Sequence, residues 1–433
     1  LRSLVGSEMC IRDRYKQTKS IKMKYLYSLL IILFTAPVSA QKNEIFSPRI
    51  ATLQVVAGQN WLSPPVIDLY SNQPLNISFD DLTHEYHRYV YKIEHCEADW
   101  SVSQGIFLSD YLEGFTDAQT IDDMAESVNT NVLYTHYRLK IPNERCRIKM
   151  SGNYRLSVYD ENNDNELMFQ ACFMVVERET TVTMEATANT ELGMNSAYQQ
   201  INWQLNYDNI SVAAPDSQIK TVVMQNGRWD NAVINARTQF VMRDGLRWSH
   251  NRNLIFPAGN EYRKFEMLDV SHTTMGLERI GWDGHTYHAY VGADEQRRNY
   301  IYDESANGSF YIRNSDNWEN DVTSEYLMVH FTLFSPRIEG DIYLNGTWTN
   351  DQFIDRYKMV YNEEKHLYEA SVMLKQGYYS YQYLQQKKDG SLAPLPSEGS
   401  FYQTENQYQV LVYYRGNNDR TDRLVGYQEI RTK

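Results

Sequence analysis

Apolar and polar residues alternate with a period of two along much of this chain. In RYVYKIEHC, residues Tyr89, Tyr91, Ile93 and His95 share one face. In QQINWQLNY the shared positions are Ile201, Trp203, Leu205 and Tyr207, and in KQGYYSYQYL they are Tyr379, Tyr381 and Tyr383. This period predicts half-buried strands, because successive side chains on a strand point to opposite sides. LMFQACFMVV, ending at Val176, is almost wholly apolar and predicts a strand central to a sandwich. LMVHFTLFSP and GDIYLNGTW predict strands of a third module, with YQVLVYY, ending at Tyr414, as its last. Heptad patterns are absent.

Turn chemistry separates these runs. Asn226-Gly227 and Asn307-Gly308 are hairpin signals, since both residues tolerate positive φ, and Asn345-Gly346 marks a tight turn. Asp160 to Asp164 is a polar turn. Gly152-Asn153-Tyr154 has the form of a tyrosine corner, in which the phenol bonds back to upstream backbone. Gly259 and Tyr262 repeat the pattern less cleanly. Pro64-Pro65 fits an edge or a linker, where a missing amide donor costs nothing. IDDMAES, Ile121 to Ser127, predicts one helical turn with acidic residues at its start. The expected fold is all-β: three consecutive immunoglobulin-like or early-set sandwiches with minor helical turns. They are placed at 41–178, 179–320 and 321–433, the last including a polar C-terminal tail.

The N-terminus reads as an export signal. Lys22 and Lys24 flank Met23, Tyr25 to Phe34 is apolar, and Val38-Ser39-Ala40 is a small-residue cleavage site that leaves Gln41 first. Residues 23–40 are thus expected to be a cleavable signal peptide, and 1–22 a non-native upstream segment. Gln41 is not a cysteine, so no lipid anchor is expected there.

Composition narrows the function further. The formal net charge is −13, and the leader is basic, so the exported part is more acidic still. That argues against nucleic acid and anionic lipid as partners. The 34 tyrosines favour sheets over helices. Cys96, Cys146 and Cys172 remain beyond the signal; each sits in or beside an apolar run and is expected to act as a small buried hydrophobe. None forms C-x-x-C, and their disulfide state is left open.

No chemical motif survives inspection. HEYHR places His87 three residues after His84, with Arg88 where a zincin needs its second histidine. His285 and His288 have the same spacing and are likewise expected to be surface residues. DENNDNE resembles the start of a calcium loop, but Asn165 replaces the required glycine and Ala171 the chelating glutamate. G-x-S-x-G, P-loop and G-x-G-x-x-G motifs are absent. Catalytic residues, cofactor and metal are therefore not expected. Trp61, in GQNWLSPP, and Trp348, after Asn345-Gly346, are candidate partner-binding residues, as hot-spot anchors or as sugar-stacking platforms. Both also fit as caps on sandwich cores.

Several strings together resemble the plug protein family of the bacterial type IX secretion system. They are HCEADW, DYLEGF, NTNVLYTHYRLKIPN and SGNYRLSVYD, followed by EEKHLYEASVMLKQGYYSYQYL and RTDRLVGY. The third module is also similar to early-set domains, which include starch- and glycogen-binding modules. The resemblance implies a non-enzymatic protein on the periplasmic face of the outer membrane. It would bind the large translocon barrel and close its periplasmic opening when no cargo passes, without inserting into the membrane and without a small-molecule substrate. The alternative is an exported carbohydrate-binding or glycan-processing protein.

Overall fold

The computed structural model describes residues 43–114 and 118–432. The segments 1–22 and 23–40, read above as an upstream extension and a signal peptide, lie outside the described residues. The described residues form one compact unit. Helix within the described residues amounts to three single α-turns, Leu108–Tyr111, Pro215–Gln218 and Asn320–Thr323, and four 3-10 turns. None is long and apolar enough to cross a membrane. The protein is built from β-sheets, as the alternating pattern requires.

The first sandwich consists of two sheets. Sheet 1 runs Ile50–Ala57, Leu75–Asp81, Thr135–Ile141, Asp123–Glu126. Sheet 2 is centred on Tyr89–Cys96, Gly152–Asp160 and Glu166–Val176, with Val66–Asp68 joining parallel to the last of these. Phe79, Tyr89, Tyr137, Tyr154 and Phe173 fill the space between the sheets. Phe79 and Tyr137 stack at 5.2 Å between centroids. The stretch expected to be a helical turn is instead the edge strand Asp123–Glu126, paired to Thr135–Ile141. Its acidic residues point outward, where charge discourages further strand pairing.

The second sandwich also has two sheets. Sheet 3 runs Val233–Ile234, Ile219–Gln225, Gln407–Tyr414, Arg423–Arg431. Sheet 4 runs Thr181–Thr187, Tyr198–Asn206, Gly245–Trp248, Phe240–Met242. Trp203 and Trp248 stack at 3.7 Å in this core. The strand expected to end the third module, Tyr408 to Tyr414, therefore belongs to the second sandwich, seven residues in register with Ile219–Gln225. Alternation alone cannot show which distant strand completes a sheet.

The third sandwich is inserted between Ile255–Pro257 and Gln407–Tyr414 of the second. It is one ten-stranded sheet, sheet 5, running Arg263–Met267, Gly377–Gln386, Asp341–Asn345, Lys358–Asn362, Leu367–Lys375, Tyr326–Leu333, Tyr287–Val291, Leu277–Trp282. Phe310–Ile312 and Leu392–Pro394 also pair with Gly377–Gln386. The sheet folds over so that Phe265 of one half meets Phe331 of the other, 5.6 Å between centroids. Strands at 263–267, 277–282, 287–291 and 310–312, which the sequence reading placed in the second module, are part of it. Asn307-Gly308 does turn through positive φ, but the segment before it forms no hairpin strand.

The tyrosine corner forms as expected. Tyr154 Oη donates to the Met150 carbonyl at 2.7 Å. The third sandwich repeats it: Tyr379 Oη donates to the Lys375 carbonyl at 2.6 Å. Each begins with a glycine that admits a close neighbour. A Cβ on Gly152 would lie 2.4 Å from His95 Nε2, and one on Gly377 would lie 2.3 Å from the Tyr311 carbonyl. Tyr262, by contrast, accepts from Gln382 Nε2 at 2.7 Å and makes no corner bond.

Tyr154→Phe is expected to lower stability by about 1–3 kcal/mol, since it leaves a buried carbonyl without its donor. Urea denaturation measures this, and Tyr379→Phe should behave alike.

Candidate functional site

The three sandwiches meet in interfaces that resemble protein interior. Sheets 2 and 3 lie face to face. Cys96, Cys172, Met174 and Val176 on one pack against Val222, Met224, Leu411, Tyr413 and Leu424 on the other. Sheets 1, 2, 3 and 4 thus form four layers, and the inner two are covered on both sides. This is why Gln407–Tyr414 is buried at every position. The cysteines here act as packing groups: burial pushes the Cys96 thiol up to about 12, and that of Cys146, in the core of the first sandwich, equally. Among the described residues, Cys96, Cys146 and Cys172 are all buried and none is in a disulfide.

Polar groups fix the register of that contact. Asp422, just before the last strand, accepts from Lys220 Nζ at 2.7 Å and from the Ala98 amide at 3.1 Å. Its own amide donates to Glu97 Oε2 at 2.8 Å. Tyr413 Oη donates to Asn153 Oδ1 at 2.8 Å. Each of these bonds joins the first sandwich to the second, apart from the Lys220 bond, which holds Asp422 in place from within the second.

The first and third sandwiches are joined around a buried ion pair. Asp80 is the penultimate residue of the strand Leu75–Asp81 and Lys375 ends Leu367–Lys375; both are 0% exposed. Lys375 Nζ donates to Asp80 Oδ2 at 2.6 Å and to the Asp321 carbonyl at 2.6 Å, and sits 4.0 Å above the Tyr134 ring. Tyr326 Oη donates to Asp80 at 2.6 Å and lies 2.6 Å from Thr52 Oγ1. His136 Nδ1 is 2.6 Å from the other oxygen of Asp80. Burial opposes ionisation of Asp80, but Lys375 and His136 outweigh it and hold its carboxyl below the usual range. Around this centre, Tyr134 Oη donates to the Ser324 carbonyl, and Glu325 accepts from the amides of Asn131 and Val132. Two charges taken out of water cost several kcal/mol each, and this many partners offset it.

A cavity of about 170 Å³ opens where all three sandwiches converge, lined by Trp61, Arg228, Tyr262, Asn350, Asp351 and Gln409 among others. Arg228 pairs with Asp230. Burial and the nearby Asp230 push the Asp351 carboxyl up to about 6.

The two candidate tryptophans occupy different settings. Trp61 comes from a loop of the first sandwich and packs against Tyr311 and Tyr378 of the third, at 5.6 and 5.7 Å between centroids. It is a half-buried joint residue, and its contacts are within the chain. Trp348 is 6% exposed, stacks against Phe331, and donates from Nε1 to the Ser380 carbonyl at 3.0 Å. The expectation of a surface anchor at Trp348 is corrected: the ring fills the third core. The 3-10 turn Thr347–Thr349 after the extended Gly346 directs it inward.

His87 Nδ1 lies 3.0 Å from Asp160, which Arg49 also binds at 2.7 Å. Asp160 to Asn165 forms a hairpin turn with Asp164 and Asn165 at positive φ. Among the described residues, no group of three or more His, Cys, Asp or Glu side chains is placed to hold a metal ion. The sequence reading missed Asp80, His136, Tyr326 and Lys375. A lysine at a strand end normally reaches water, so nothing in LYEASVMLK marks it as buried.

The fold is thus three β-sandwiches, the third inserted in the second, whose polar clusters join them to one another. Residues 50–177 match the family model for the first domain of type 9 secretion system plug proteins, a span that covers the first sandwich. A crystal structure of a hypothetical protein from Parabacteroides merdae superposes with a TM-score of 0.88 at 38% identity, over 90% of this chain and 99% of that one. Trypsin-activated alpha-2-macroglobulin from Escherichia coli gives 7% identity and a TM-score of 0.14, over 92% of this chain and 29% of that one, too low to bear on the fold. No curated protein matches. The chain belongs to the type IX secretion system plug protein family, and its role lies in type IX secretion.

Lys375→Met is expected to cost about 3–5 kcal/mol in urea denaturation, because Asp80 is left buried without its cation. The pH dependence has a defined sign. A carboxyl depressed by folding stabilises above its unfolded value, and that contribution is lost as pH falls through the folded value. Wild type should therefore lose stability on acidification below about pH 4 more steeply than Asp80→Asn. Trp348→Ala should cost about 3–5 kcal/mol, as expected of a buried indole.

Proposed function

We propose that this protein is a periplasmic plug. It binds the large outer-membrane barrel of the type IX translocon and closes the barrel's periplasmic opening when no cargo passes. The observation that carries this reading is the fusion of three sandwiches into one body through a shared apolar face and a buried ion pair. A stopper holds back solutes only if it keeps its shape under load, and sandwiches joined by interior-like contacts do so. Family membership supports the same reading, as does the export signal read at Met23 to Ala40. The body works by shape and contact, not by chemistry at a catalytic centre.

Closure has to be reversible. Moving a two-state equilibrium from 1:99 to 99:1 requires roughly 5.5 kcal/mol of differential binding, which cargo or a gate component would supply. The carbohydrate-binding alternative loses its best platform with Trp348 in the core, and no other observation favours it.

Affinity purification of the tagged protein from gently solubilised outer membranes is expected to recover a very large barrel protein. Deletion of the gene is expected to admit normally excluded large solutes across the outer membrane. Recovery of no barrel, together with an unchanged barrier, would overturn the reading.

A further inference from the structure

One stretch of chain supplies an edge strand to each sheet of the second sandwich. Val233–Ile234 ends sheet 3 and Phe240–Met242 ends sheet 4. Phe240–Met242 pairs with Gly245–Trp248, placing Phe240 opposite Arg247, Val241 opposite Leu246 and Met242 opposite Gly245. Among the described residues, no strand pairs with its other side. Phe240 and Val241 are 54% and 66% exposed. Sheet edges are usually blunted by charge, by proline or by a covering loop. Here two consecutive large apolar side chains stand in water. Phe240 is on the outer face beside Arg247, and Val241 is on the core-facing side with the buried Leu246. The edge is also held in place: Thr238 Oγ1 and the Gln239 amide donate to the Arg247 carbonyl at 2.9 and 3.2 Å.

Charge around this edge is the reverse of the molecule's. The chain carries a net charge of −13. Arg237, Arg243 and Arg247 are all exposed, and Asp244 is the only acidic residue between Arg237 and Trp248. Arg243 and Asp244 approach to only 4.0 Å, both almost fully exposed. Arg237 and Arg247 form no ion pair with a carboxylate among the described residues.

We propose that the edge Phe240–Met242 is a docking site for an extended, acidic segment of a partner protein, which adds to sheet 4 as a further strand. In strand addition, main-chain hydrogen bonds hold the segment and alternate side chains set specificity. Phe240 and Val241, on opposite faces, take apolar side chains from alternate positions of the partner. Its carboxylates meet Arg237, Arg243 and Arg247. The arginines choose the occupant. A second copy of this chain, paired edge to edge about a twofold axis, would set the same arginines against each other. Like charges facing across a sheet destabilise it, and a basic segment would be repelled in the same way. A three-residue edge offers few backbone bonds, so the contact is weak and releasable.

Fluorescence anisotropy of the purified protein with a fluorescein-labelled peptide alternating valine and glutamate tests the site. The control peptide carries lysine for glutamate. At low salt the acidic peptide is expected to bind and the control is not, with affinity falling as salt rises. Hydrogen exchange should show added protection over 238–243. Arg237→Glu combined with Arg243→Glu, and separately Phe240→Ser combined with Val241→Ser, should each weaken binding about tenfold or more. These side chains are exposed, so circular dichroism and the unfolding midpoint should stay close to wild type. No binding at millimolar peptide, equal binding of the lysine peptide, or binding unchanged in the arginine variant would overturn the site. So would a dimer in sedimentation that the Phe240→Ser/Val241→Ser variant dissolves, because a second copy would then hold the edge. No translocon component is present in this assay, so its outcome is separate from that of the closure test.

Discussion

Sheets 2 and 3 carry apolar side chains on both faces, and water is excluded from each face by a different neighbour. Met174 and Val176 meet Met224 and Leu411, while Phe173 and Val175 of the same strand face the first core. Fully burying one such side chain contributes about 1.5–3 kcal/mol. Neither sheet could stand in water as the outer wall of an isolated sandwich without exposing one of those faces. The four layers are therefore obligatory, and the first two sandwiches fold as a unit. The third is bound to the second at both ends of its insertion, because the chain returns through Gln407–Tyr414 to complete sheet 3.

Contact between the first and third sandwiches is of another kind. Its apolar part is small, with Ala51, Tyr134 and Tyr326 at its centre. The specificity lies in Asp80, which takes donors from both sides. Hydrophobic contact is non-directional and tolerates sliding. A buried carboxylate bound by Lys375, Tyr326 and His136 does not, because any shift strands a charge. The apolar face thus supplies most of the cohesion, and the polar cluster supplies the angle. Both are properties that the proposed closing role needs, since such a body must fit one opening and resist bending.

How far the sequence could be read differs from residue to residue. The tyrosine corner at Tyr154 was legible because its hydrogen bond spans only four residues. Glu166–Val176 was legible as a central strand because it is apolar on both sides. The helical turn at Ile121 to Ser127 was misread: acidic residues suit a helix start and an edge strand equally, and pairing decided between them. Trp348 was read as a possible surface anchor because it follows a turn signal, whereas a 3-10 turn rotates it into the core. Lys375 and Asp80 gave no warning, as charged residues at strand ends are ordinarily solvated.

By itself the sequence determined the β class, the polar turns and the family, all of which rest on local period, short-range turn chemistry or contiguous strings. Only the tertiary structure decided that the last two strands complete the second sandwich and that the third is an insertion. It alone brought Asp80 to Lys375, 295 residues apart. The reason is physical. A strand's alternation records that one face is buried but not by which partner, and that choice is made by the summed fit of surfaces distant along the chain.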